Sequence, residues 1–546
     1  MLPGIMMHRP LRVSDILDFA AEIHPTGEVV SVMLDGSVHR ISYQALHRRV
    51  ARLAHALREM GVGPGDRVAT LAWNTHRHFE LYYAISGLGA VCHTINPRLS
   101  AEQFTYIVNH AGDRALFFDV TFAAQLAALR GSFPDEIEYV ALCESGAVPE
   151  EMPDARAYDD LLEGQPDSIT LPDLDENDAC ALCYTSGTTG NPKGVLYSNR
   201  SMVLHALMMA NAEQNIFREG RRILPVVPLF HANAWGLPYT APLAGASLVM
   251  PGMTLDGPSI FRLADREEVY SAFGVPTVWM SLLDEMDRQG RKPKGLGEVV
   301  TGGSAAPRRL VERFMVDYGV EVIHGWGMTE TSPIGTLSCL PVHLRGRPVE
   351  ERIDRTLLQG RRAFGFEMKI VDEDGNDLPW DGVSVGEYLV RGNGVVRGYY
   401  NNEAATKAAI TPDGWFRTGD MASITPEGEM KIADRSKDLI KSGGEWISSI
   451  DVENMAMSHP AVANCAVIAV PHPKWVERPL LVVQRTPGTE AGAADLRAHV
   501  AANLAKWQVP DDVVFVDELP MTATGKVSKR TLRERYKDHP MDGAPG

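Results

Sequence analysis

Cysteine is scarce in this chain of 546 residues, which contains six cysteines. A disulfide framework requires a denser set, so disulfide bonds are not expected to hold the fold together. Only Cys180 and Cys183 have the C-x-x-C spacing that zinc and redox sites use. They lie in the apolar run ACALCY, without a second pair nearby. That setting favours core packing of the two thiols over metal binding.

Long apolar runs and an excess of basic residues are also missing. No run reaches the roughly 18 to 20 apolar residues that cross a bilayer, and the first residues lack the apolar core and cleavage site of a secretory signal. We therefore expect a cytoplasmic protein without a transmembrane segment. The formal net charge of −17 disfavours nucleic acid as a partner, because phosphate backbones require a basic face.

The residues that are present indicate several globular units. The chain is 45% hydrophobic and 23% charged, and it is too long for one core, since cores stop growing at roughly 250 to 300 residues. Apolar residues recur at helical spacing within residues 42–60, and a Pro-Gly-Asp turn separates that helix from the strand RVATLAW. Similar helix and strand units follow. They predict α/β sheets that bind ligands beyond the carboxyl ends of their strands.

The pattern changes along the second half of the chain. Strand and turn signals predominate after about residue 365, which predicts a β-rich subdomain. Beyond residue 434, apolar strands alternate with short helices in the manner of a small α+β domain. The predicted fold is therefore α/β, with a large N-terminal domain of α/β sheets and a β-rich subdomain at residues 1–434. A small α+β C-terminal domain is predicted at residues 435–546.

The segment YTSGTTGNPKGV, residues 184–195, follows an apolar run and is rich in glycine and hydroxyl side chains. Its backbone N–H groups, four hydroxyls and Lys193 are suited to a polyphosphate. It is not the usual Gly-x-x-x-x-Gly-Lys-[Ser/Thr] loop, because Lys193 follows a proline and precedes Gly194. A surface turn is the alternative, but the ordered position at a strand end favours a phosphate site.

Four further segments accompany this one, namely HGWGMTE (324–330), WFRTGD (415–420), DRSKDLIKSGGEWIS (434–448) and PMTATGKVSKR (520–530). With these five segments, the chain resembles the adenylate-forming superfamily. The resemblance covers essentially the whole chain. It implies that a small carboxylic acid attacks the α-phosphate of ATP to give an acyl adenylate and pyrophosphate, after which a thiol takes the acyl group. ATP, Mg²⁺ and CoA are the implied cofactors and co-substrates.

The resemblance also implies roles for particular residues. Glu330 and Thr185 match the positions that bind Mg²⁺, an ion that keeps several waters and is held by few carboxylates. Asp420 matches the carboxylate that accepts hydrogen bonds from the ribose hydroxyls, assisted by Arg435.

The adenine slot is expected from TGGSAAP (301–307) and HGWG (324–327). Gly302 and Gly303 would let the backbone approach the ring, and Trp326 would offer a ring face. The residues expected to bind ATP or AMP are Thr185, Ser186, Gly187, Thr188, Thr189, Lys193, Gly302, Gly303, His324, Gly325, Trp326, Gly327, Met328, Thr329, Asp420, Ile432 and Arg435.

Lys526 matches the catalytic lysine of the family, a cation that would stabilise charge on the attacking carboxylate and the α-phosphate. A thiol cannot approach the same carbonyl while Lys526 occupies that path. The family rotates its mobile C-terminal domain between the two steps, and Lys437 matches the hinge position within residues 434–439. After rotation, CoA would be bound by Lys441, Ser442, Gly443, Gly444, Glu445 and Trp446.

The segment PLFHANAWGLPY, residues 228–239, indicates the type of acid. In relatives that activate amino acids, an aspartate follows the phenylalanine and binds the ammonium group. His231 stands there instead, which disfavours an α-amino acid and makes His231 a candidate catalytic and substrate-binding residue. Trp235 matches a gate tryptophan of fatty acyl-CoA synthetases, and FGVPTVWM, including Trp279, is expected to form an apolar wall. The predicted acyl-site residues are His231, Trp235, Gly302 and Trp326.

These segments resemble the medium- to long-chain fatty acyl-CoA synthetase branch, and within it the ligases of 3-methylmercaptopropionate, a short thioether acid. We expect the acid and ATP to give acyl-AMP and pyrophosphate, and acyl-AMP and CoA to give acyl-CoA and AMP. The expected substrate is 3-methylmercaptopropionate or a similar short- or medium-chain acid, with a longer fatty acid as the alternative. Two further alternatives are a carrier-protein-loading adenylation enzyme and a luciferase-like oxygenase. We expect a homodimer.

Overall fold

The structure is a computed structural model that describes residues 1–2, 4–185, 191–212, 216–344, 346–443, 445–522 and 526–540. Five residues of the predicted phosphate loop, Ser186, Gly187, Thr188, Thr189 and Gly190, lie outside the described residues. Gly444 of the predicted CoA segment also lies outside them.

The described part of the chain forms strands that make three sheets. The strands are β1 (Glu28–Val32), β2 (Val38–Ser42), β3 (Arg67–Leu71), β4 (Val91–Thr94), β5 (Asp113–Phe118), β6 (Glu138–Ala141), β7 (Arg156–Ala157), β8 (Ala179–Tyr184), β9 (Gly194–Ser198), β10 (Arg222–Pro225), β11 (Ser247–Met250), β12 (Ser271–Gly274), β13 (Glu298–Thr301), β14 (Glu321–Gly327), β15 (Ile334–Leu337), β16 (Gly360–Arg362), β17 (Phe366–Val371), β18 (Gly386–Gly392), β19 (Phe416–Ile424), β20 (Glu429–Arg435), β21 (Ile440–Ser442), β22 (Glu445–Ile447), β23 (Val462–His472), β24 (Val476–Arg485) and β25 (Asp512–Val516).

Helices connect these strands and cover the sheets. They are α1 (Val13–Ile23), α2 (Tyr43–Glu59), α3 (His76–Gly87), α4 (Ala101–Ala111), α5 (Ala123–Leu129), α6 (Tyr158–Leu162), α7 (Asn199–Ala212), α8 (Ala232–Trp235), α9 (Leu237–Leu243), α10 (Gly257–Arg266), α11 (Pro276–Gln289), α12 (Arg308–Glu312), α13 (Val349–Thr356), α14 (Glu403–Ala409), α15 (Ser449–Met457), α16 (Ala493–Ala501) and α17 (Lys529–Arg535). Within the described ranges, no helix is both long enough and apolar enough to span a membrane.

The first sheet has the strand order β7-β6-β5-β3-β4-β8-β9 and is parallel except for β9, which pairs antiparallel with β8. Helix α2, which precedes β3, shows how the sequence specifies these units. The Ser42 hydroxyl accepts a hydrogen bond from Ala45 N at 3.2 Å and caps the helix. Leu46, Leu53 and Leu57 are buried on its inner face. The predicted helix and the strand that follows it are therefore confirmed.

The second sheet has the order β17-β18-β19-β20-β16-β15-β14-β13-β12-β10-β11-β1-β2. Strands β10 to β14 and β1 make parallel pairs, whereas β15 to β20 make antiparallel pairs and form the predicted β-rich subdomain. Strand β14 belongs to both parts, because it runs parallel to β13 and antiparallel to β15. Its register shifts between Trp326 and Gly327, so the HGWG segment lies where the two parts meet.

The third sheet lies in the C-terminal part and has the order β22-β21-β24-β23, with β25 paired to β24. Helices α15, α16 and α17 pack on it. The hydrophobic clusters of this part consist of residues from Ile440 onwards. The large α/β part with a β-rich subdomain and the small α+β part agree with the predicted fold.

Cys180 and Cys183 lie in β8 and are buried. The Cys180 thiol lies 3.6 Å from Tyr197 O, and the Cys183 thiol lies 3.3 Å from Asn233 Oδ1. Both are core residues, as the apolar run predicted.

Candidate active site

A cleft of about 1270 Å³ is lined by residues of both large sheets and of the C-terminal part. This volume exceeds the roughly 300 to 1,000 Å³ of a typical ligand pocket, and it leaves room for a nucleotide and an acyl group together. The residues predicted from the sequence that line it are Thr185, Lys193, His231, Trp235, Gly302, Gly303, His324, Gly325, Trp326, Gly327, Met328, Thr329, Glu330, Asp420, Ile432, Arg435, Lys437 and Lys526.

The base of the predicted phosphate loop is a closed hairpin between β8 and β9. Thr185 N donates to Lys193 O at 2.9 Å, and Lys193 N donates to the Thr185 hydroxyl at 3.4 Å. The Lys193 ammonium lies 4.8 Å from the ring centroid of Tyr399. The Tyr399 hydroxyl donates to Glu330 Oε1 at 2.8 Å. Tyr399, which the sequence did not single out, therefore connects Lys193 with Glu330.

Glu330 is a buried carboxylate, 6% exposed. Burial raises its pKa, while the Tyr399 hydrogen bond and the positive charges of Arg435 and Lys193 act in the opposite direction. A carboxylate in this setting gains from a further cation. One carboxylate and the Thr185 hydroxyl are a donor set that fits Mg²⁺, which takes its other ligands from phosphate and water.

Asp420 is almost fully buried and faces Arg435 across the pair β19 and β20. Its Oδ2 accepts a hydrogen bond from the Trp326 indole N–H at 2.7 Å. Its Oδ1 lies 2.8 Å from Arg435 Nε but has no hydrogen-bond partner among the described residues. An oriented carboxylate oxygen that can still accept hydrogen bonds fits a ribose hydroxyl.

Trp326 has a supporting role that the sequence did not predict. Its ring packs edge-on against Tyr388, with centroids 4.8 Å apart, and its N–H is bonded to Asp420. Trp326 therefore fixes the direction of the Asp420 carboxylate.

The predicted adenine slot is bounded by backbone that leaves no room for larger residues. A Cβ atom added at Gly302 would lie 3.0 Å from Gly325 O and 3.3 Å from Trp235 Cη2. One added at Gly327 would lie 2.0 Å from Pro333 O. Glycine is required here because neighbouring backbone occupies the space of a side chain.

A buried glutamine, Gln359, links two residues of the predicted nucleotide site. Its Nε2 lies 3.4 Å from His324 Nδ1, and its Oε1 accepts a hydrogen bond from Ile432 N at 2.6 Å. Burial lowers the pKa of His324 to about 4, so its imidazole is neutral near pH 7. No motif in the sequence marked Gln359.

Lys526 reaches the cleft from the C-terminal part. A Cβ atom added at Gly303, where φ is +80°, would lie 3.6 Å from Lys526 Cε and 3.9 Å from its Nζ. Burial and the positive charge of Arg435 lower the pKa of Lys526 to about 8, and the negative charge of Asp420 opposes this shift. The structure thus brings Lys526 beside the predicted nucleotide site.

His231 also lines the cleft. Burial, assisted by the positive charge of Lys526, lowers the pKa of His231 to about 4. The imidazole is therefore neutral near pH 7 and presents one N–H donor.

The wall beside His231 is apolar. It is formed by Val226, Phe230, Trp235, Val275, Val278, Met280 and Leu337. Trp279, which was expected in this wall, is instead fully buried, and its N–H donates to Val300 O at 3.2 Å. That expectation was wrong because Trp279 projects from α11 into the hydrophobic core, whereas its neighbours Val278 and Met280 line the cleft.

The described residues of the predicted CoA segment, 441–443 and 445–446, do not line the cleft. Its hairpin, β21 and β22, is attached to β24 through Ser442 Oγ, which accepts from Arg478 Nη1 at 2.9 Å, and through Gly443 N, which donates to Trp475 O at 2.9 Å. The Lys441 ammonium lies 4.3 Å from the ring centroid of the half-exposed Trp446. Lys526 therefore lines the cleft in this structure, whereas the described residues of the hairpin do not.

The fold and the site have counterparts among known proteins. The family model of AMP-binding enzymes matches residues 17–400, and that of the AMP-binding enzyme C-terminal domain matches residues 451–526. The chain therefore belongs to the AMP-binding enzyme family, and it is an AMP-forming acid–CoA ligase that works through an acyl adenylate.

Two similar relatives differ in their named substrates. The chain is 47% identical to a 3-methylmercaptopropionyl-CoA ligase of Ruegeria lacuscaerulensis, covering 98% of this chain and 99% of that one. It is 46% identical to a medium-chain-fatty-acid–CoA ligase of Ectopseudomonas oleovorans, covering 98% of each. Among solved structures, the anthranilate CoA ligase AuaEII in complex with anthranoyl-AMP is 25% identical, with a TM-score of 0.86 and coverage of 97% and 98%.

Proposed function

We propose that this ligase activates a short- or medium-chain apolar carboxylic acid, with 3-methylmercaptopropionate as the first candidate. In the first step a carboxylate oxygen attacks the α-phosphorus, the bond to pyrophosphate breaks, and an acyl adenylate forms. In the second step the CoA sulfur attacks the acyl carbon and AMP leaves. The observation that carries the proposal is that Lys526, a neutral His231 and several apolar side chains line the same cleft.

In the first step, the proposed residues would bind the phosphates, orient the ribose and stabilise the negative charge of the transition state. The base of the phosphate loop, with Lys193, would bind the phosphates that become pyrophosphate. Asp420 and Arg435 would orient the ribose. Lys526 would lie between the attacking carboxylate and the α-phosphate, where negative charge grows, and it would stabilise the transition state more than the ground state.

We propose Mg²⁺ as the metal, held by Glu330 and the Thr185 hydroxyl. When bound, it would neutralise charge on the triphosphate. The Tyr399 hydroxyl, which donates to Glu330 Oε1 at 2.8 Å, would keep the other carboxylate oxygen directed at the metal.

The acyl pocket supports an acid without a charged tail. His231 is neutral, so its N–H could donate to the substrate carboxylate without attracting a second anion. The lining of the cleft includes the aliphatic and aromatic side chains of Val226, Phe230, Val275 and Met280 together with Trp235. A longer fatty acid is the second candidate, since one similar relative is named for medium-chain substrates.

A series of acids tests the proposal. Purified protein is supplied with ATP, Mg²⁺ and CoA and with single acids from acetate to palmitate, including 3-methylthiopropanoate, and AMP release is measured. We expect an optimum among short and medium apolar acids. A preference for α-amino acids, or for palmitate over every shorter acid, would contradict the assigned substrate class.

The pH dependence of the first step provides a test of Lys526. Only the protonated ammonium stabilises the growing charge, so kcat/KM for ATP in adenylate formation should fall as pH rises through about 8, the lowered pKa of Lys526. Thioester formation from supplied acyl adenylate should lack this decline. In Lys526→Arg, whose guanidinium stays charged, the alkaline decline in kcat/KM should disappear. If the decline persisted in this variant, another group would be its cause.

We also propose that the chain moves as two parts, residues 1–434 and 435–546, about a hinge at residues 434–439. This motion would bring the CoA hairpin, residues 441–446, to the acyl adenylate. The observed arrangement is stabilised by contacts across the hinge. Asp434 Oδ2 accepts hydrogen bonds from Ser449 N at 2.7 Å and from the Ser449 hydroxyl at 2.6 Å, and Ser448 Oγ donates to Ala433 O at 2.6 Å.

Rotation about Lys437 would break these bonds. Ser449→Ala removes the hydroxyl that donates to Asp434 and accepts from Lys529, and it should weaken the observed arrangement. A lost hydrogen bond to a charged group corresponds to about a tenfold change, and we expect the ratio of thioester formation to adenylate formation to rise by about that factor. Ser458→Ala removes a serine that bonds only within the C-terminal part and is the matched control. An unchanged ratio in Ser449→Ala would contradict a hinge between these residues.

A further inference from the structure

The short element α8 is a left-handed turn. All residues from 232 to 236 have positive φ, namely 44° at Ala232, 53° at Asn233, 46° at Ala234, 57° at Trp235 and 79° at Gly236. Only the last is glycine. In the other four, Cβ lies close to the following carbonyl oxygen, which L-residues normally avoid. Such a backbone persists only where its surroundings hold it, and strained backbone of this kind is concentrated at functional sites.

The turn divides its side chains between the cleft and the core. His231, Ala232 and Trp235 line the cleft, whereas Asn233 and Ala234 are fully buried away from it. A left-handed turn winds in the opposite sense to a right-handed one. Relaxation to right-handed backbone would therefore change which side chains face the acid.

Asn233 is the polar residue that fixes the turn to the core. Its Oδ1 accepts a hydrogen bond from the Cys183 thiol of β8 at 3.3 Å and lies 3.2 Å from the Tyr82 hydroxyl of α3. The same Tyr82 hydroxyl lies 2.5 Å from Leu229 O, just before the turn. Asparagine is also the non-glycine residue that, with aspartate, adopts left-handed backbone most readily.

The last residues of the turn are closely packed against their neighbours. A Cβ atom at Gly236 would lie 2.7 Å from the His205 ring, and the Trp235 indole lies against the backbone of Gly302. The anchored side of the turn thus determines where the indole and the His231 imidazole lie.

We propose that Asn233 is a positioning residue for the acyl site, which holds the left-handed turn on α3 and β8 and thereby fixes His231 and Trp235 against the acid. The inference rests on the proposed acyl function of these two residues. The groups assigned to ribose and phosphate lie on other elements, so loss of Asn233 should impair recognition of the acid and not of ATP.

Asn233→Ala tests this, since it removes the acceptor and keeps a side chain that disfavours positive φ. In acid-dependent pyrophosphate exchange we expect KM for the acid to rise by about tenfold, the order that the loss of one hydrogen bond to a substrate carboxylate causes, with KM for ATP unchanged. The preference among acids of different length should also flatten. Thermal unfolding of each variant shows whether it is folded.

A second pair keeps the test decisive if Asn233→Ala does not fold. Cys183→Ala removes one donor to Asn233, whereas Cys183→Ser keeps a hydroxyl donor in the same place. We expect KM for the acid to rise in the alanine variant and to return towards the wild-type value in the serine variant. Unchanged acid KM and acid preference in folded variants, or equal changes in KM for acid and ATP, would overturn the inference. A wild-type protein that exchanges pyrophosphate with no apolar acid would overturn the proposed function itself.

Discussion

Lys526→Ala should slow adenylate formation by roughly 10²- to 10³-fold, the loss typical when one preorganised group that stabilises transition-state charge is removed. Its ammonium lies beside Gly303 and near Asp420 and Arg435, where the α-phosphate would react. Thioester formation from supplied acyl adenylate should stay near the wild-type rate, because the thiol needs that path vacated. Pyrophosphate exchange measures the first step, and chromatography of acyl-CoA measures the second.

Lys537→Ala is the matched control for Lys526, since Lys537 is an exposed lysine of the same C-terminal part, 72% exposed. It should leave both steps unchanged. If Lys526→Ala slowed both steps equally, Lys526 would have a structural role and the assignment would fail.

Asp420→Ala should impair both steps, in contrast to Lys526→Ala. Its carboxylate is held by Trp326 and faces Arg435, and one oxygen has no hydrogen-bond partner in the described part of the chain. Hydrogen bonds to a charged group contribute about 1.5 to 3 kcal/mol each, so kcat/KM for ATP should fall by roughly 10²-fold. The acyl adenylate carries the same ribose, so its KM in the thioester step should rise as well.

Asp420→Asn keeps the shape of the side chain and one oxygen acceptor. Its kcat/KM for ATP should lie between those of the wild type and Asp420→Ala. Trp326→Phe removes the indole donor and keeps an aromatic ring in the core. It should decrease kcat/KM for ATP less than Asp420→Ala does. A selective loss of the first step in Asp420→Ala would contradict ribose binding.

The large features of the fold could be predicted from the sequence because each is local. Helix α2 has a capping serine and a regular apolar face, β3 follows a Pro-Gly-Asp turn, and the β-rich subdomain has alternating strands and turns. The carboxyl ends of the strands also indicated where ligands would bind. Asp420, Glu330 and Lys526 could be nominated because each lies in a short motif, and the structure brings all three to one cleft.

The contacts that complete the site could not be predicted, since they depend on tertiary packing. Gln359 and Tyr399 belong to no motif, yet they join residues that are distant along the chain. Trp326, whose indole N–H donates to Asp420, is 94 residues away from it in sequence. Trp279 was misplaced because an apolar segment does not by itself show which helix face is buried. The left-handed turn at 232–236 has only Asn233 and Gly236 as local signals, and its other three residues disfavour positive φ.

The central claim is that the chain forms an acyl adenylate and passes its acyl group to CoA. The most direct measurement mixes the protein with ATP, Mg²⁺ and 3-methylthiopropanoate without CoA, quenches the reaction, and analyses the nucleotides by mass spectrometry. We predict enzyme-bound acyl-AMP with release of pyrophosphate, and its conversion to acyl-CoA and AMP when CoA is added. Formation of ADP and phosphate, or release of AMP without an acyl-AMP that CoA consumes, would contradict the account.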